Sequence, residues 1–225
     1  MEQHLRSIDA RLGDQHDTCA GTVRITSVPI VINRLLAPSA SILSTRHPGM
    51  LVELVPDSRD FNLTRREADL AIRLARPATG GMSVKTRRIG TFEYAPYVAA
   101  RQTRGKARRL PWITYEDAMA HLPQARWIAS ITKNDSRSLV GLRVHDAETA
   151  LEAAAAGVGK TLLPTLVAGR DARLRPLKLD GVPPYPSREV WLLAHSDQIE
   201  LERITAAIAW IEAAIGASVP RASLP

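Results

Sequence analysis

The chain reads as an α/β protein made of two strand–helix runs. Short apolar segments of strand length alternate with amphipathic segments of helix length along most of its 225 residues. A last long helical segment, with no strand after it, closes the pattern. The length suits one large domain or two small ones, and no low-complexity tract or clear repeat interrupts it.

Residues 3–12 set Leu5, Ile8 and Leu12 on one stripe, a short helix that needs a neighbour. In "GTVRITSVPI", Val23 and Ile25 alternate with polar residues, as in a strand. A helix follows from about Val31 to Arg46, kinked at Pro38 and ended by "HPG". "MLVELVPD" is a second strand, "SRDFNLTRREA" a loop and short helix, and "DLAIRLA" a third strand closed by Pro77 and "TGG". Strands and helices in this order imply parallel βαβ units with right-handed crossovers. In the second run the strand candidates are "FEYAPYVAA", "ARWIAS", "GLRV", "KTLLP" and "EVWLLAH". The helix candidates are "YEDAMAHL", "AETALEAAAAG" and "PTLVAGRD". The last helix runs from about Gln198 to Ile215, with Leu201, Ile204, Ile208, Ile211 and Ile215 on its apolar face, Ser196 as N-cap and Gly216 as stop.

The formal charge of +7 and a pI near 10.1 favour anionic partners. The densest basic stretch, "ARQTRGKARR", has no aromatic residue to stack on bases and reads as a solvated loop rather than a DNA contact. One cysteine, Cys19, excludes an intrachain disulfide and fits a reducing cytosol. The charged start lacks the apolar core of a signal peptide, and no apolar run reaches the ~18 residues of a membrane span. The expected location is the cytoplasm.

"AAAAGVGKTLLP" resembles the end of a phosphate-binding loop, Gly-Lys-Thr included, but the leading glycine position holds Ala154. A phosphate loop follows a strand and opens a helix. Here the helix comes first: Ala147, Ala150, Leu151, Ala154 and Ala155 share a stripe, with Asp146 as N-cap and Gly157 as left-handed stop. A phosphate would meet carbonyl oxygens, the wrong polarity. No G-x-S-x-G elbow, H-E-x-x-H or cysteine–histidine cluster is present, so no catalytic role, metal or cofactor is assigned.

Taken together, "GTVRITS" (21–27), "LAPSASILSTRHPGMLVELV" (36–55), "NLTRREADLAIRLARP" (62–77) and "AGVGKTLLP" (156–164) resemble the effector-binding domain of LysR-type transcriptional regulators. "PWITYEDAMAHLPQARW" (111–127) is similar to a variant in one subgroup. The resemblance covers residues 21–215. It implies a fold like that of type II periplasmic binding proteins: two Rossmann-like subdomains with a cleft between them. It places residues 21–92 and 195–216 in subdomain I and 93–194 in subdomain II, with crossings near Thr91–Tyr94 and Ala194–Asp197. Residues 1–20 would be a remnant of the linker helix and 217–225 a tail. A winged helix-turn-helix is not found in the sequence, so the resemblance describes a truncated regulator, reaching DNA only through a domain missing here. It further implies a homodimer, or a tetramer, paired through helices near 31–46 and 148–156.

In open α/β sheets, ligands bind beyond the carboxyl ends of strands. After the first strand lie Thr26, Ser27 and Val28; after the second, Ser58 and Arg59; after the third, Ala75 and Arg76. From the facing half, His145, Asp146 and Ala147 open a helix whose free amides attract an anion. Serine and threonine hydroxyls and arginine forks suit a carboxylate. Ser27 reads equally as a helix cap, Arg73 as an outward mid-strand residue, His145 as a helix-entry residue and Asp146 as an N-cap. The expected function is sensing a small, anionic metabolite. The rival readings are a transporter's solute-binding protein and an enzyme using the cleft with a nucleotide.

Overall fold

A computed structural model describes residues 19–57, 68–77, 83–133 and 138–216. The expected helix at 3–12, the segment after the second strand, the "TGG" turn and the C-terminal tail lie outside these.

Strand β1 (Gly21–Ser27) runs parallel to β2 (Met50–Pro56) along its whole length and to β3 (Leu70–Arg73) at its end. Val23 and Ile25 are fully buried, while Arg24 points out to pair with Glu53 at 3.0 Å. Helix α1 joins β1 to β2. It starts as Pro29–Val31, widens into a π-helical stretch Ile32–Leu36, and continues as Ala37–Arg46. The expected kink at Pro38 is absorbed here: proline brings no N–H, and the turn before it opens so that the Ala37 N–H reaches the Ile32 carbonyl, five residues back. The Ser39 hydroxyl donates to the Leu35 and Leu36 carbonyls, each at 2.9 Å.

Strand β4 (Val84–Ala99) belongs to both halves. Residues 84–93 pair with β9 (Ser187–His195), and residues 94–99 pair with β7 (Thr161–Pro164) and β8 (Leu174–Pro176), all antiparallel. The chain therefore crosses near Glu93–Tyr94. β9 also pairs with β3, giving the strand order β2-β1-β3-β9-β4-β7. The return crossing precedes Ser187 instead of lying at Ala194–Asp197. Val190, Leu192 and Ala194 are buried, and among the described residues β9 pairs only with β3 and with residues 84–93 of β4, so "EVWLLAH" is a first-half strand. Helix α6 (Glu202–Ile215) packs on this sheet through Ile204, Ile208 and Ile211. It starts later than expected. Residues 196–201 form successive turns, Leu201 is the N-cap, and the Ser196 hydroxyl bonds Asp197 instead of capping. Gly216, at φ 70°, ends it.

The second half contains α2 (Arg104–Arg109), β5 (Trp112–Tyr115), a 3₁₀ turn (Asp117–Met119), α3 (Pro123–Thr132) and β6 (Leu139–Val144). They are followed by α4 (Ala147–Ala156), β7, α5 (Thr165–Ala168) and β8. Two expectations fail here. "YEDAMAHL" is not a helix: Tyr115 closes β5 and only the 3₁₀ turn follows. "ARWIAS" is not a strand: it lies in α3, which Pro123 opens at a position where a missing N–H costs nothing. The basic stretch expected as a loop is largely α2. Asp146 and Gly157 act as anticipated. Asp146 accepts from the Thr149 N–H at 2.8 Å, and Gly157 sits at φ 86°. A Cβ on Gly159 would lie 2.6 Å from the Pro111 carbonyl oxygen, so that glycine permits a close backbone pass between α4 and β7. Lys160 is 7% exposed. Its ammonium donates to the Arg108 carbonyl at 2.8 Å and sits 5.0 Å from the Trp112 ring centre, which leaves it no role toward a phosphate.

Candidate functional site

The carboxyl ends of β1 and β3 are tied together by Ser27, whose buried hydroxyl donates to the Ile72 carbonyl at 3.0 Å. Val28 is extended, and its carbonyl accepts from Val31 and Ile32 at the start of α1. Thr26 is fully buried with no partner for its hydroxyl among the described residues. Its register opposite Ala71, which itself faces Leu193, turns it to the other face of the sheet from Ile25. Arg76 is exposed and its guanidinium lies 5.4 Å from the Trp191 ring centre, a cation–π contact on Thr26's side of the sheet. Ala75 beside it is exposed. Arg73 donates to the Ile72 carbonyl at 3.1 Å. Ser58 and Arg59 lie outside the described residues. In the second half, the exposed His145 ring bonds Glu116 through Nδ1 at 2.6 Å. Asp146 is engaged as a cap by Thr149 through both backbone and side chain, and Ala147 begins the helix half-buried.

Four residues not singled out from the sequence form the more telling group. Tyr94 sits on β4 at the crossing, Tyr115 at the end of β5, Gln124 in the first turn of α3, and Arg188 near the start of β9. Tyr94, Tyr115 and Gln124 are 3%, 4% and 2% exposed, yet neither tyrosine hydroxyl nor the Gln124 Oε1 makes a hydrogen bond of ordinary geometry among the described residues, although Arg188 acts on the Tyr94 hydroxyl and Gln124 on that of Tyr115. Arg188 donates from Nε to the Leu74 carbonyl at 2.9 Å, just past β3. Burial pushes the Tyr94 hydroxyl's pKa up, opposed by the neighbouring Arg188 guanidinium. Burial also pushes Tyr115 up, aided by Tyr94 and Asp146 and opposed by Gln124 and Arg188. Both phenols are therefore held neutral, as hydrogen-bond donors. Strand ends from both halves thus converge on one spot that combines a guanidinium, two neutral phenols and an amide. No carboxylate pairs with Arg188 among the described residues.

A second polar group joins the halves nearby. Arg34 of α1 reaches across to α4, where its Nε bonds both Glu148 oxygens at 2.9 and 3.1 Å. It also contacts Glu152, and Asp171 at 3.8 Å. Arg173 grips Glu152 with two bonds of 2.8 and 2.9 Å and meets Asp171 at 2.7 Å. Hydrogen bonds from Arg173 hold the Glu152 and Asp171 carboxyls below their usual pKa, with Arg34 adding to the effect. Hydrogen bonding to Glu148 raises Arg34.

The LysR substrate-binding-domain profile matches residues 16–216. The chain belongs to that family. Its function is thereby set at the level of the family: the effector-binding domain of a LysR-type transcriptional regulator, which is not an enzyme class. The chain is 28% identical over 94 residues to the Mau operon transcriptional activator of Paracoccus denitrificans, a match covering 42% of this chain and 32% of that relative. Among solved structures, the LysR-type regulator CrgA from Neisseria meningitidis superposes with a TM-score of 0.70 at 16% identity, covering 95% of this chain and 75% of that one. The effector domain of AmpR from Pseudomonas aeruginosa gives 0.60 at 15% identity over 88% and 96%. The reduced form of the OxyR2 regulatory domain from Vibrio vulnificus gives 0.57 at 16% identity over 88% and 96%. These likenesses establish the LysR regulatory-domain fold, two α/β lobes of the type II periplasmic-binding-protein kind. Among the described residues no group of three His, Cys, Asp or Glu could hold a metal, and no helix is long and apolar enough to cross a membrane.

Proposed function

We propose that this LysR domain senses a small carboxylate held between its lobes, with Arg188 as the charge partner. The supporting observation is that a guanidinium with no carboxylate lies beside two buried phenols and an amide oxygen that make no hydrogen bond of ordinary geometry among the described residues. Buried polar groups are nearly always satisfied, so such a cluster fits a ligand that supplies the missing acceptor and donor. A carboxylate accepts from Arg188, Tyr94 and Tyr115, while a donor on the ligand serves Gln124. Backbone amides at Ser27–Val28 and at Asp146–Ala147, beside the starts of α1 and α4, frame the anion from either lobe. His145 and Arg76 have local partners and serve the site's rim. Thr26, on the other sheet face, supports the β1 end.

The ligand would act by binding one lobe arrangement more tightly than another. We further propose a cytoplasmic homodimer that reaches DNA through a helix-turn-helix domain and passes the lobe arrangement to it. Support for the dimer lies in exposed apolar residues on or beside the two expected packing helices: Ile42 on α1 at 59% exposure, Leu51 on β2 at 59%, and Val158 just after α4 at 43%. Sedimentation showing only monomer at tens of micromolar, where weak association should appear, would remove the dimer.

The test of the ligand class is a thermal-shift panel of small aliphatic and aromatic carboxylates beside their neutral amides. At about 100 times its dissociation constant a ligand adds about 2.7 kcal/mol. For a chain of this size that raises the melting temperature by roughly 5–10 °C. Hits confined to carboxylates support the reading, and hits confined to neutral compounds overturn it.

A further inference from the structure

The stretch 101–109 holds five cations, Arg101, Arg104, Lys106, Arg108 and Arg109, and no acid. The fold turns part of it into α2 and fixes that helix in place. Ala107 is fully buried, and Leu110 packs with Val98 and Leu177. The buried Lys160 ammonium bonds the Arg108 carbonyl near the helix C-terminus. Beside α2 lies β8, whose Arg175 donates to the Gln102 carbonyl at 2.8 Å, with the exposed Lys178 just beyond. Seven cations thus share one end of the second lobe.

Arginines elsewhere divide: among the described residues Arg46, Arg126, Arg170, Arg188 and Arg203 meet no carboxylate, whereas Arg24, Arg34, Arg87, Arg88, Arg143 and Arg173 each meet one. Of the seven cations at this end, Arg108 alone has a carboxylate partner among the described residues: Asp180 at 3.0 Å, with both side chains more than half exposed. Arg104, Lys106, Arg108 and Arg109 are all exposed. α2 shows no exposed aromatic side chain on which a base could stack. It also shows no large apolar side chain to insert into a bilayer or to anchor a protein interface. A dense array of cations, six of the seven without a carboxylate partner among the described residues and lacking anchors on α2, matches a repeating phosphate backbone.

We propose that α2 and the β8 edge form a sequence-independent docking surface for the phosphate backbone of duplex DNA. It is separate from the lobe cleft and does not depend on the effector reading. Four or five phosphate contacts would give a log–log salt slope near −4, so affinity should fall on the order of a hundredfold between about 50 and 200 mM salt.

The test is fluorescence anisotropy of the 225-residue chain with a labelled random-sequence duplex, across that salt range. The variant Arg104→Ser/Lys106→Ser/Arg109→Ser is compared with Arg46→Ser/Arg126→Ser/Lys133→Ser, which removes equal charge from exposed sites on α1 and at α3. Expected is at least a tenfold loss at low salt and a slope shallower by about 2.7 for the first variant. The second should change affinity less than threefold, and Arg104→Lys/Arg109→Lys should keep the wild-type slope. Equal losses in both triple variants, or no wild-type binding at about 50 mM salt, would overturn the proposal.

Discussion

Arg34 and Arg188 are both partly buried arginines at the junction of the lobes, in opposite circumstances. Arg34 faces Glu148, Glu152 and Asp171, with Arg173 completing the network. Arg188 has the Leu74 carbonyl, with phenols nearby that make no hydrogen bond of ordinary geometry among the described residues. A saturated network holds a shape, because breaking it strands charge away from water. An unsaturated one at a lobe junction is poised for something not yet bound. The comparison separates two roles: Arg34 clasps the lobes, and Arg188 is the proposed charge partner of the ligand.

Arg188→Met should break the comparison most severely. Hydrogen bonds to a charged group contribute about 1.5–3 kcal/mol, so carboxylate affinity by calorimetry should drop on the order of a hundredfold. The unliganded melting temperature should hold or rise, since an unpaired charge has gone. Affinity within threefold of wild type would show that Arg188 is no anion partner.

Arg34→Leu should do the reverse. It leaves the Glu148 side chain, 17% exposed, short of a partner, while Arg173 still holds Glu152 and Asp171. Between the ranges for exposed and buried pairs, a loss of about 2 kcal/mol is expected. That lowers the melting temperature by roughly 4–8 °C. An unchanged melt would mean that the clasp adds nothing to stability.

Smaller and opposite in sign is Tyr115→Phe. Removing a buried hydroxyl that lacks a hydrogen bond of ordinary geometry should stabilise the free domain by about 1 kcal/mol and weaken carboxylate binding several-fold. Destabilisation would mean that the hydroxyl is already satisfied.

The mildest expectation concerns pH. Glu152 and Asp171 titrate below their usual 4.5 and 3.8 in the folded state. A depressed folded pKa contributes stability that is present above the unfolded pKa and lost as pH falls through the folded one. The gap in melting temperature between wild type and Arg173→Leu, which removes the main cause of both depressions, should therefore hold at neutral pH and narrow below about pH 4. A gap independent of pH would exclude these carboxylates as its source.

The first lobe is largely readable because its signals are local. Alternation at Val23 and Ile25 marks β1, and Asp146 and Gly157 bracket α4 in the second lobe by caps that need no distant partner. The set of motifs points to the fold because it covers both lobes. The candidate site is much less readable. β5 has four residues, too few to show an alternation, so "WITY" carries no strand signal, and Tyr115 at its end goes unmarked. "ARWIAS" is apolar enough to pass for a strand, which hides Gln124 in the helix that Pro123 starts. Arg188 gains its setting from Leu74, 114 residues away. Only the fold reveals that neighbour, and a return crossing expected too late assigns Arg188 to the wrong lobe.

The decisive measurement is a crystal structure with the carboxylate that gives the largest thermal shift. The carboxyl group should lie within hydrogen-bond distance of the Arg188 guanidinium and of the Tyr94 or Tyr115 hydroxyl. A ligand seated elsewhere, with Arg188 still bonded only to the Leu74 carbonyl, would contradict the assignment of this site.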